Sequence, residues 1–512
     1  MRKLIDTLFS RLVIVGLLIA LQAVFLVVFI WRLSSYFVFL YGALLVLSIL
    51  VTLWLVNKND NPSYKLAWII PIMTFPMFGG LFYLFFGNTH VSKKMTSGMV
   101  RVAKRTLPLL KQDESLGEKL GKLDKGIQNQ SHYITYHSGY PLFGRTETAY
   151  LSPGEAKFEA LKAELEKAGH FIFLEYFIIE KGVMWDGVLE ILRRKAAAGV
   201  DVRVMYDDCG CLTTLPGGYD RQLEEMGIQC VRFNKFRPVL SMIMNHRDHR
   251  KIAVIDGHTG FMGGVNLADE YINAVDKHGH WKDASVMLKG EAVWSLTVMF
   301  LQMWEIVTGS EEDYECFRPH RSHPAPFGED GFVQPYSDSP IDQERVGEMV
   351  YTNIISRAKD YVYIASPYLI IDNEMATSLI LAAKSGVDVR IMTPHRGDKW
   401  YVHSLTRAYY RQLIEGGVKI YEYEPGFVHS KTFVADDEVG VVGTINLDYR
   451  SLYLHFECGV WMYRSRAVMQ VKEDYVKTLE KCIPITLDSE LINAGPVKSL
   501  VRAVLRLFAP LM

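Results

Sequence analysis

Two stretches of the sequence share one pattern and decide the fold. Residues 245–271 read NHRDHRKIAVIDGHTGFMGGVNLADEY, and residues 429–457 read HSKTFVADDEVGVVGTINLDYRSLYLHFE. In each stretch a histidine is followed by a lysine after two residues, an aspartate after seven and an asparagine after seventeen. With 15 histidines in 512 residues, even one copy of this pattern is rare by chance, and two copies indicate a duplication.

The residue types in this pattern suit phosphate chemistry. Lysine cations and asparagine amides bind phosphate oxygens, and imidazoles can attack phosphorus or transfer a proton. Because alternate residues of a strand share a face, the histidine and lysine of each copy point the same way. The candidate catalytic residues are His249, Lys251, Asp256, His429, Lys431 and Asp436, and the candidate phosphate-binding residues are Asn266, Gly264, Asn446 and Thr444.

The surrounding sequence is duplicated as well. GVDVRVM at 199–205 matches GVDVRIM at 386–392, and the segment that begins at Tyr176 (YFII) matches the one that begins at Tyr368 (YLII). In both copies an apolar strand pattern, a helical stretch and a second strand follow one another, which is a βαβ unit with parallel strands. We therefore predict an α/β fold of two pseudo-symmetric sandwich halves, residues 131–325 and 326–485, whose matching loops meet at one cleft.

Hydrophobic residues are concentrated at the N-terminus. Three charge-free runs, 12–31, 33–57 and 66–89, are each long enough to cross a bilayer as a helix. The first run is too long for the hydrophobic region of a signal peptide. Prolines and a Gly79-Gly80 pair interrupt the third run, so it suits either a spanning helix or a re-entrant hairpin; the placement of basic residues favours the hairpin. We predict a transmembrane helical module over residues 1–90.

Charge and cysteine content narrow the function classes. With a net charge of −1, the chain has no overall positive potential that would attract nucleic acid, so we expect no nucleic-acid partner. The 6 cysteines are too scattered for a disulfide framework. Lysine beside each paired histidine repels a metal cation, so we expect neither a metal nor another cofactor. Residues 91–130 are a basic linker, and residues 486–512 are a basic amphipathic tail that lies on a membrane surface or packs on the domain.

These motifs resemble the phospholipase D superfamily over roughly residues 130–485, and within it the bacterial cardiolipin synthase branch. The resemblance implies a phosphohistidine mechanism in which His249 is the nucleophile and His429 the acid. It also implies that two carboxylates, Glu457 and Asp283, orient the histidines. Gly264 stands where the superfamily often has serine. Asp256 and Asp436 belong to the motif, but structural support of the loops is favoured for them over a direct catalytic role.

The function implied by the resemblance is synthesis of cardiolipin and glycerol from two phosphatidylglycerol molecules. A phospholipase D-type hydrolase, a nuclease and a phosphatidyltransferase with another alcohol acceptor are the enzymatic alternatives. A lipid-binding pseudoenzyme is disfavoured, because neither motif has lost its histidine, lysine or asparagine. The expected partners are phospholipid substrates and the lipid bilayer, and homo-oligomerisation is left open. The expected location is a bacterial cell membrane, multi-pass, with the catalytic part on the cytoplasmic side.

Overall fold

A computed structural model describes residues 37–76, 78–87, 93–236, 245–341, 344–492 and 495–511, together with Val24, Val27 and Val28. The predicted hydrophobic segment at 12–31 lies outside the described residues, apart from those three valines. The described chain forms a small N-terminal helical unit followed by two α/β halves.

The N-terminal unit contains one long helix and one helical hairpin. The long helix, Phe37–Asn57, is apolar and includes a stretch, Phe39–Asn57, that is long enough to cross a membrane. The predicted segment 66–89 is not one continuous helix but two, Pro62–Thr74 and Gly79–Phe86. At about 1.5 Å per residue, neither helix covers a bilayer core of about 30 Å. The hydroxyl of Tyr64 donates a hydrogen bond to the carbonyl of Gly87 at 2.6 Å, so the two ends of the hairpin meet.

The tip of this hairpin packs against the middle of the long helix. The Ser48 hydroxyl donates to the carbonyl of Pro76 at 2.6 Å and accepts from the backbone N–H of Gly80 at 3.1 Å. A Cβ atom at Gly80 would lie 2.5 Å from the Ser48 hydroxyl oxygen, so only glycine allows this approach. The hairpin therefore turns back beside the centre of the long helix.

The first half is built on a seven-stranded sheet in the order β1-β8-β6-β5-β2-β3-β4. Its strands are β1 (Thr146–Leu151), β2 (Phe171–Tyr176), β3 (Asp201–Asp207), β4 (Gln229–Phe233), β5 (Lys251–Ile255), β6 (Thr259–Gly263) and β8 (Ser285–Gly290). Its helices are Gly154–Leu165, Val183–Ala197, Tyr219–Glu224, Val293–Thr308 and Pro319–Ser322.

The second half repeats this order and adds one edge strand, giving an eight-stranded sheet β9-β16-β15-β14-β10-β11-β12-β17. Its strands are β9 (Phe332–Asp338), β10 (Tyr361–Ala365), β11 (Asp388–Pro394), β12 (Lys419–Tyr423), β14 (Thr432–Ala435), β15 (Val439–Gly443), β16 (Glu457–Tyr463) and β17 (Cys482–Ile485). Its helices are Val346–Arg357, Asn373–Lys384, Trp400–Glu415, Tyr449–Tyr453 and Arg466–Leu479, and the helix Pro496–Phe508 follows.

The two halves share one hydrophobic core. Buried side chains from both sheets and from the helices Val293–Thr308 and Arg466–Leu479 belong to a single central cluster. A second contact between the halves is the parallel pair formed by the short strands β7 (His280–Lys282) and β13 (Gly426–Val428). The halves therefore form one body, with their equivalent strand ends side by side.

Two sequence-based expectations differ from the observed arrangement. Ile179 and Leu369 occupy equivalent positions, because each forms an isolated parallel β-bridge with the leucine that follows its motif asparagine. The proposed match of Tyr176 with Tyr368 was therefore wrong by two residues. A shift of two residues preserves the strand faces, which is why the apolar pattern could not reveal it. The helices Glu114–Leu123 and Lys125–Ser138, expected in the linker and the first half, pack against the core of the second half.

The motif aspartates close the turns after β5 and β14. Asp256 and Asp436 adopt φ angles of 50° and 52°. The Asp256 carboxylate accepts three backbone N–H hydrogen bonds, each at 2.8 Å, from Gly169, His170 and Phe171. Asp436 accepts the equivalent bonds from Lys359, Asp360 and Tyr361 at 2.8, 2.9 and 3.0 Å. Each aspartate thus ties its turn to the start of the neighbouring strand.

We predict that Asp256→Ala lowers stability without removing catalysis from the folded protein. The variant loses three hydrogen bonds to a carboxylate and places alanine at positive φ, a cost of about 3 kcal/mol. Chemical denaturation of the full-length protein in detergent measures the free energy of unfolding. Asp256→Asn, which tolerates positive φ and keeps one acceptor oxygen, is the control and should lose less. Unchanged stability with abolished turnover would contradict this structural role.

Candidate active site

The two motif histidines lie where the halves meet, and each backbone is held by the opposite half. His249 precedes β5, and its N–H donates to the carbonyl of Phe456 at 2.9 Å. His429 follows β13, and its N–H donates to the carbonyl of Lys282 at 2.7 Å. The structure therefore brings the two histidines to one interface, each fixed to the other half by a backbone hydrogen bond.

The histidine side chains are oriented by carboxylates that also come from the opposite half. His249 Nδ1 lies 2.9 Å from Glu457 Oε1, and His429 Nδ1 lies 2.6 Å from Asp283 Oδ2. Glu457 and Asp283 occupy equivalent positions in the two halves. Glu457 lies two residues before Gly459, which pairs with Gly443, and Asp283 lies two residues before Ser285, which pairs with Gly263. Each carboxylate directly follows the residue whose carbonyl holds the histidine backbone, so one short segment fixes both parts of the histidine.

The contact with the carboxylate determines which nitrogen of each imidazole carries the proton. A proton on Nδ1 that is donated to the carboxylate leaves Nε2 with a free lone pair. Burial lowers the pKa of His249 to about 3 and that of His429 to about 4, which keeps both rings neutral near pH 7. Burial opposes ionisation of Glu457 and Asp283, but contact with the imidazoles holds both carboxyl pKa values below normal. Each pair is thus a neutral base backed by an anion.

Both motif lysines are buried beside their histidines. The Lys251 and Lys431 ammonium groups donate to the carbonyls of His249 and His429, respectively. Burial lowers the pKa of Lys251 to about 8 and that of Lys431 to about 7. Desolvated cations of this kind gain most from an anionic ligand, so they suit a phosphodiester.

The two motif asparagines differ in their partners. Asn266 is engaged within its own half, since it accepts from the backbone N–H of Ile178 at 3.0 Å and donates to the Tyr271 hydroxyl at 2.7 Å. Asn446 is also buried, but its side-chain oxygen has no hydrogen-bond partner among the described residues. The first asparagine therefore positions a loop and Tyr271, whose ring contacts His429 at 5.4 Å. The second remains available to a ligand.

Gly263 and Gly443 are followed by different residues, Gly264 and Thr444, and each of these suits the size of the neighbouring carboxylate side chain. Thr444 donates a hydrogen bond from its hydroxyl to Glu457. Gly264 makes no such bond, and a Cβ atom there would lie 2.1 Å from Asp283 Oδ1. The shorter aspartate thus approaches the backbone where the first copy has glycine, whereas the longer glutamate is held by threonine. This explains the glycine at a position where the superfamily often has serine.

Two residues that the sequence grouped with the catalytic set are not brought to this site. Asp256 and Asp436 lie beyond the far ends of β5 and β14, where their carboxylates bind backbone amides. A motif lysine and the motif aspartate stand at opposite ends of a strand of four or five residues, so they cannot share one cleft. The structure supports the alternative, structural role for both aspartates.

One residue of the site was not singled out from the sequence. His455 is buried, its ring lies 5.6 Å from that of His249, and its Nδ1 lies 3.8 Å from Glu457 Oε1. The available signal was its position two residues before Glu457, although His455 itself lies in the bend that precedes β16. Among the described residues, one group could hold a metal ion: the ligand atoms of His249, His455 and Glu457 lie within 4.8 Å of one another. A metal there would have to replace the His249–Glu457 hydrogen bond.

We predict that Gly264→Ala abolishes most turnover while the protein still folds. The added methyl group would displace the Asp283 carboxylate, and His429 would lose the anion that orients it, at a cost of about 100-fold in kcat. Gly440→Ala is the matched control, because its nearest contact would be an ordinary 3.4 Å. Turnover and thermal unfolding of both variants test the contact; equal turnover in the two would contradict it.

Comparisons with known proteins agree with this geometry. A family model described as "Cardiolipin synthase, PLD-like domain" matches residues 161–304 and 351–479, which contain both motifs. A second model, described as "Phospholipase_D-nuclease N-terminal", matches residues 46–88. A solved structure of phosphatidylserine synthase from Haemophilus influenzae superposes with a TM-score of 0.55 at 14% identity, covering 75% of this chain and 100% of that chain. This last likeness concerns the fold alone.

Curated relatives extend over nearly the whole chain. A cardiolipin synthase from Alkalihalophilus pseudofirmus is 35% identical over 458 residues, covering 89% of this chain and 90% of that protein. One from Geobacillus kaustophilus is 34% identical over 470 residues, covering 91% of this chain and 92% of that protein. These matches confirm the resemblance seen in the sequence. The chain belongs to the cardiolipin synthase family of phospholipase D-like proteins.

Proposed function

We propose that this protein transfers a phosphatidyl group from one phosphatidylglycerol molecule to another, yielding cardiolipin and glycerol. The observation that carries the proposal is the pair of buried histidines, each backed by a carboxylate from the opposite half. The relatives named as cardiolipin synthases supply the substrate class. The histidine pair supplies the means, since phosphoryl transfer in two steps needs one nucleophile and one acid.

The reaction proceeds by two displacements at phosphorus. His249 Nε2 attacks the phosphodiester, the P–N bond forms and the bond to the glycerol oxygen breaks. His429 gives that oxygen a proton, and glycerol leaves. His429, now neutral, takes the proton from the hydroxyl of the second phosphatidylglycerol, whose oxygen attacks phosphorus and expels His249. Two inversions give net retention of configuration at phosphorus.

The surroundings of the histidines assist both steps. Burial keeps His249 neutral and therefore nucleophilic. The bound phosphodiester, an anion, favours the protonated form of His429 and thereby counteracts the effect of burial on its pKa. Lys251 and Lys431 supply the positive charge that stabilises the developing oxyanion.

Hydrolysis is the competing outcome, because water can replace the second alcohol. The two catalytic imidazoles are only 8% and 7% exposed, so access of bulk water to them is restricted. The ratio of cardiolipin to phosphatidic acid formed from phosphatidylglycerol in micelles distinguishes transferase from hydrolase. Phosphatidylethanolamine as the second substrate is tested in the same assay by the appearance of its own condensation product.

The membrane arrangement is also part of this proposal. The helical hairpin, whose ends meet, fits a re-entrant element beside the membrane helix Phe37–Asn57. The helix Pro496–Phe508 contacts the hairpin helix Pro62–Thr74, and it exposes Val497, Leu500 and Val504. Its apolar residues would then lie in the membrane surface, consistent with one of the two roles expected for the tail. The catalytic halves would stand on the cytoplasmic side of a multi-pass protein.

We predict that His249→Ala and His429→Ala each abolish cardiolipin formation, but only His429→Ala keeps the nucleophile that carries the phosphatidyl group. With lipid labelled in the phosphatidyl group, His429→Ala should slowly acquire covalent label on His249 that survives denaturation. Loss of the acid slows formation of this adduct, and loss of the base slows its transfer to the acceptor. His249→Ala should retain none. Mass spectrometry of the labelled peptide locates the adduct. A covalent adduct on His429, or normal turnover in either variant, would contradict the assigned roles.

We predict that chelation leaves activity intact. Lys251 and Lys431 already supply the positive charge that a metal would bring to the phosphate. Turnover before and after dialysis against EDTA is the measurement, with the metal content of the protein determined in parallel. Loss of activity that one divalent ion restores would show a metal requirement, with His249, His455 and Glu457 as the candidate ligands, and would overturn this mechanism.

A further inference from the structure

A second cavity, separate from the interface of the two motif histidines, lies where the N-terminal unit meets the second half. Its volume is about 560 Å³, within the range of small-ligand sites. The residues that matter for its chemistry are Asn61, Arg345, Glu348, Asp372, Tyr453 and His455. These residues come from distant parts of the chain, so the cavity exists only in the assembled protein.

The cavity adjoins the segment that follows the apolar helix Phe37–Asn57. Asn59, Asp60 and Asn61 line it, and they directly follow the apolar helix that ends at Asn57. The Asn61 side-chain amide donates to Asp372 Oδ2 at 3.1 Å and to the Tyr453 hydroxyl at 2.9 Å. Hydrogen bonds thus hold the segment after this helix to the cavity wall, and in the proposed membrane arrangement lipid headgroups would be in reach of the cavity.

Two buried side chains in the wall carry polar atoms that make no hydrogen bond within the described chain. Glu348 is 2% exposed, and its Oε1 accepts a hydrogen bond from the Tyr453 hydroxyl at 3.1 Å. Its Oε2 lies 3.9 Å from Arg345 Nη1 and has no hydrogen bond among the described residues. His455 is 9% exposed, and neither of its ring nitrogens has a hydrogen bond within the described chain. Buried polar atoms are nearly always hydrogen-bonded, so a ligand that both donates and accepts hydrogen bonds fits here.

Charge decides which ligand fits. Six acidic residues line the cavity, Asp60, Asp338, Glu344, Glu348, Asp372 and Glu374, against a single described lysine or arginine, Arg345. The interior therefore repels a phosphate and favours hydroxyl groups, which donate to carboxylates. Burial and the neighbouring Asp372 raise the pKa of Glu348 to about 8, so this carboxyl can itself donate to a hydroxyl at neutral pH. Arg345, which is partly exposed and lies 3.9 Å from Glu348, is the cation that the phosphodiester of a bound lipid could contact.

We propose that this cavity binds the glycerol headgroup of a lipid that stays anchored in the membrane surface, beside the histidine cleft. The inference rests on the proposed function in taking phosphatidylglycerol as that lipid. His455 lies between the cavity and Glu457, so a lipid held here stands next to the site of transfer. The cavity thus raises the local concentration of substrate and contributes no reacting group. Free glycerol, the released product, carries the same hydroxyl chemistry.

The kinetic test uses full-length protein in mixed micelles. Met349→Trp places a large side chain in the cavity wall, and Met469→Trp makes the same change on the helix Arg466–Leu479. The two methionines are 38% and 37% exposed, so they are matched controls. The apparent KM for phosphatidylglycerol, as mole fraction, should rise about tenfold in Met349→Trp, with kcat little changed, as for loss of a hydrogen-bonded headgroup. Met469→Trp should match the parent, and equal KM values in the two variants would overturn the inference.

The binding test does not depend on turnover. In the His249→Ala background, saturation-transfer NMR reports contact of the protein with the headgroup protons of dihexanoyl phosphatidylglycerol. Met349→Trp and Glu348→Ala should weaken this signal, whereas Glu348→Gln, which keeps a hydrogen-bond donor, and Met469→Trp should preserve it. Dihexanoyl phosphatidylethanolamine should show no such dependence on the cavity variants. An equal effect on both lipids would overturn the glycerol assignment.

A third arm separates the sources of the glycerol group. If the cavity also binds the product, Met349→Trp should weaken the saturation-transfer signal of free glycerol as well. If the lipid anchor is needed, the variant should leave the glycerol signal unchanged. In both cases the signal of phosphatidylglycerol must weaken in the variant. A parent protein that makes no cardiolipin but shows this dependence would refute the proposed function and support the site. Cardiolipin synthesis with no dependence on the cavity in either assay would refute the site alone.

Discussion

Each motif histidine contacts a carboxylate of the opposite half, and the rest of the site depends on these two crossed contacts. Glu457 orients His249, and Asp283 orients His429. The backbone hydrogen bonds from the two histidines run to the residues just before those carboxylates, so ring and backbone are fixed together. Neither motif histidine takes its orienting carboxylate from its own half. The shared hydrophobic core is therefore a condition for catalysis as well as for stability.

The same crossing explains how so much charge is buried in one place. Taking an ion out of water is costly unless a partner and hydrogen bonds compensate for it. Glu457 receives a hydrogen bond from Thr444 in addition to its contact with His249, whereas Asp283 accepts one from the backbone N–H of Ala284. The lysines of the two motifs add compensating charge, although burial lowers their pKa. The negative charge of a phosphodiester that enters the cleft would interact favourably with the two buried lysines. This attraction favours substrate binding.

The sequence predicted the two halves and the histidine–lysine motifs, because short spacings within a strand fix which side chains share a face. It grouped Asp256 with the motif residues but also offered a structural role for it, and this role agrees with the about 23 Å that seven residues of extended chain measure. The crossing of Glu457 and Asp283 could not be inferred, since motif spacing carries no information on which half a side chain meets. The same limit applies to the helices Glu114–Leu123 and Lys125–Ser138 and to His455, whose neighbours are distant in sequence.

The crossed contacts can be observed directly through the Nδ1 protons of the histidine rings. In protein labelled with ¹⁵N-histidine, protons donated to a carboxylate give downfield resonances, which His249→Asn and His429→Asn would assign. The structure predicts that Glu457→Gln removes the resonance of His249 and leaves that of His429, and that Asp283→Asn does the reverse. If each carboxylate variant instead removed the resonance of the histidine in its own half, the crossed arrangement would be wrong.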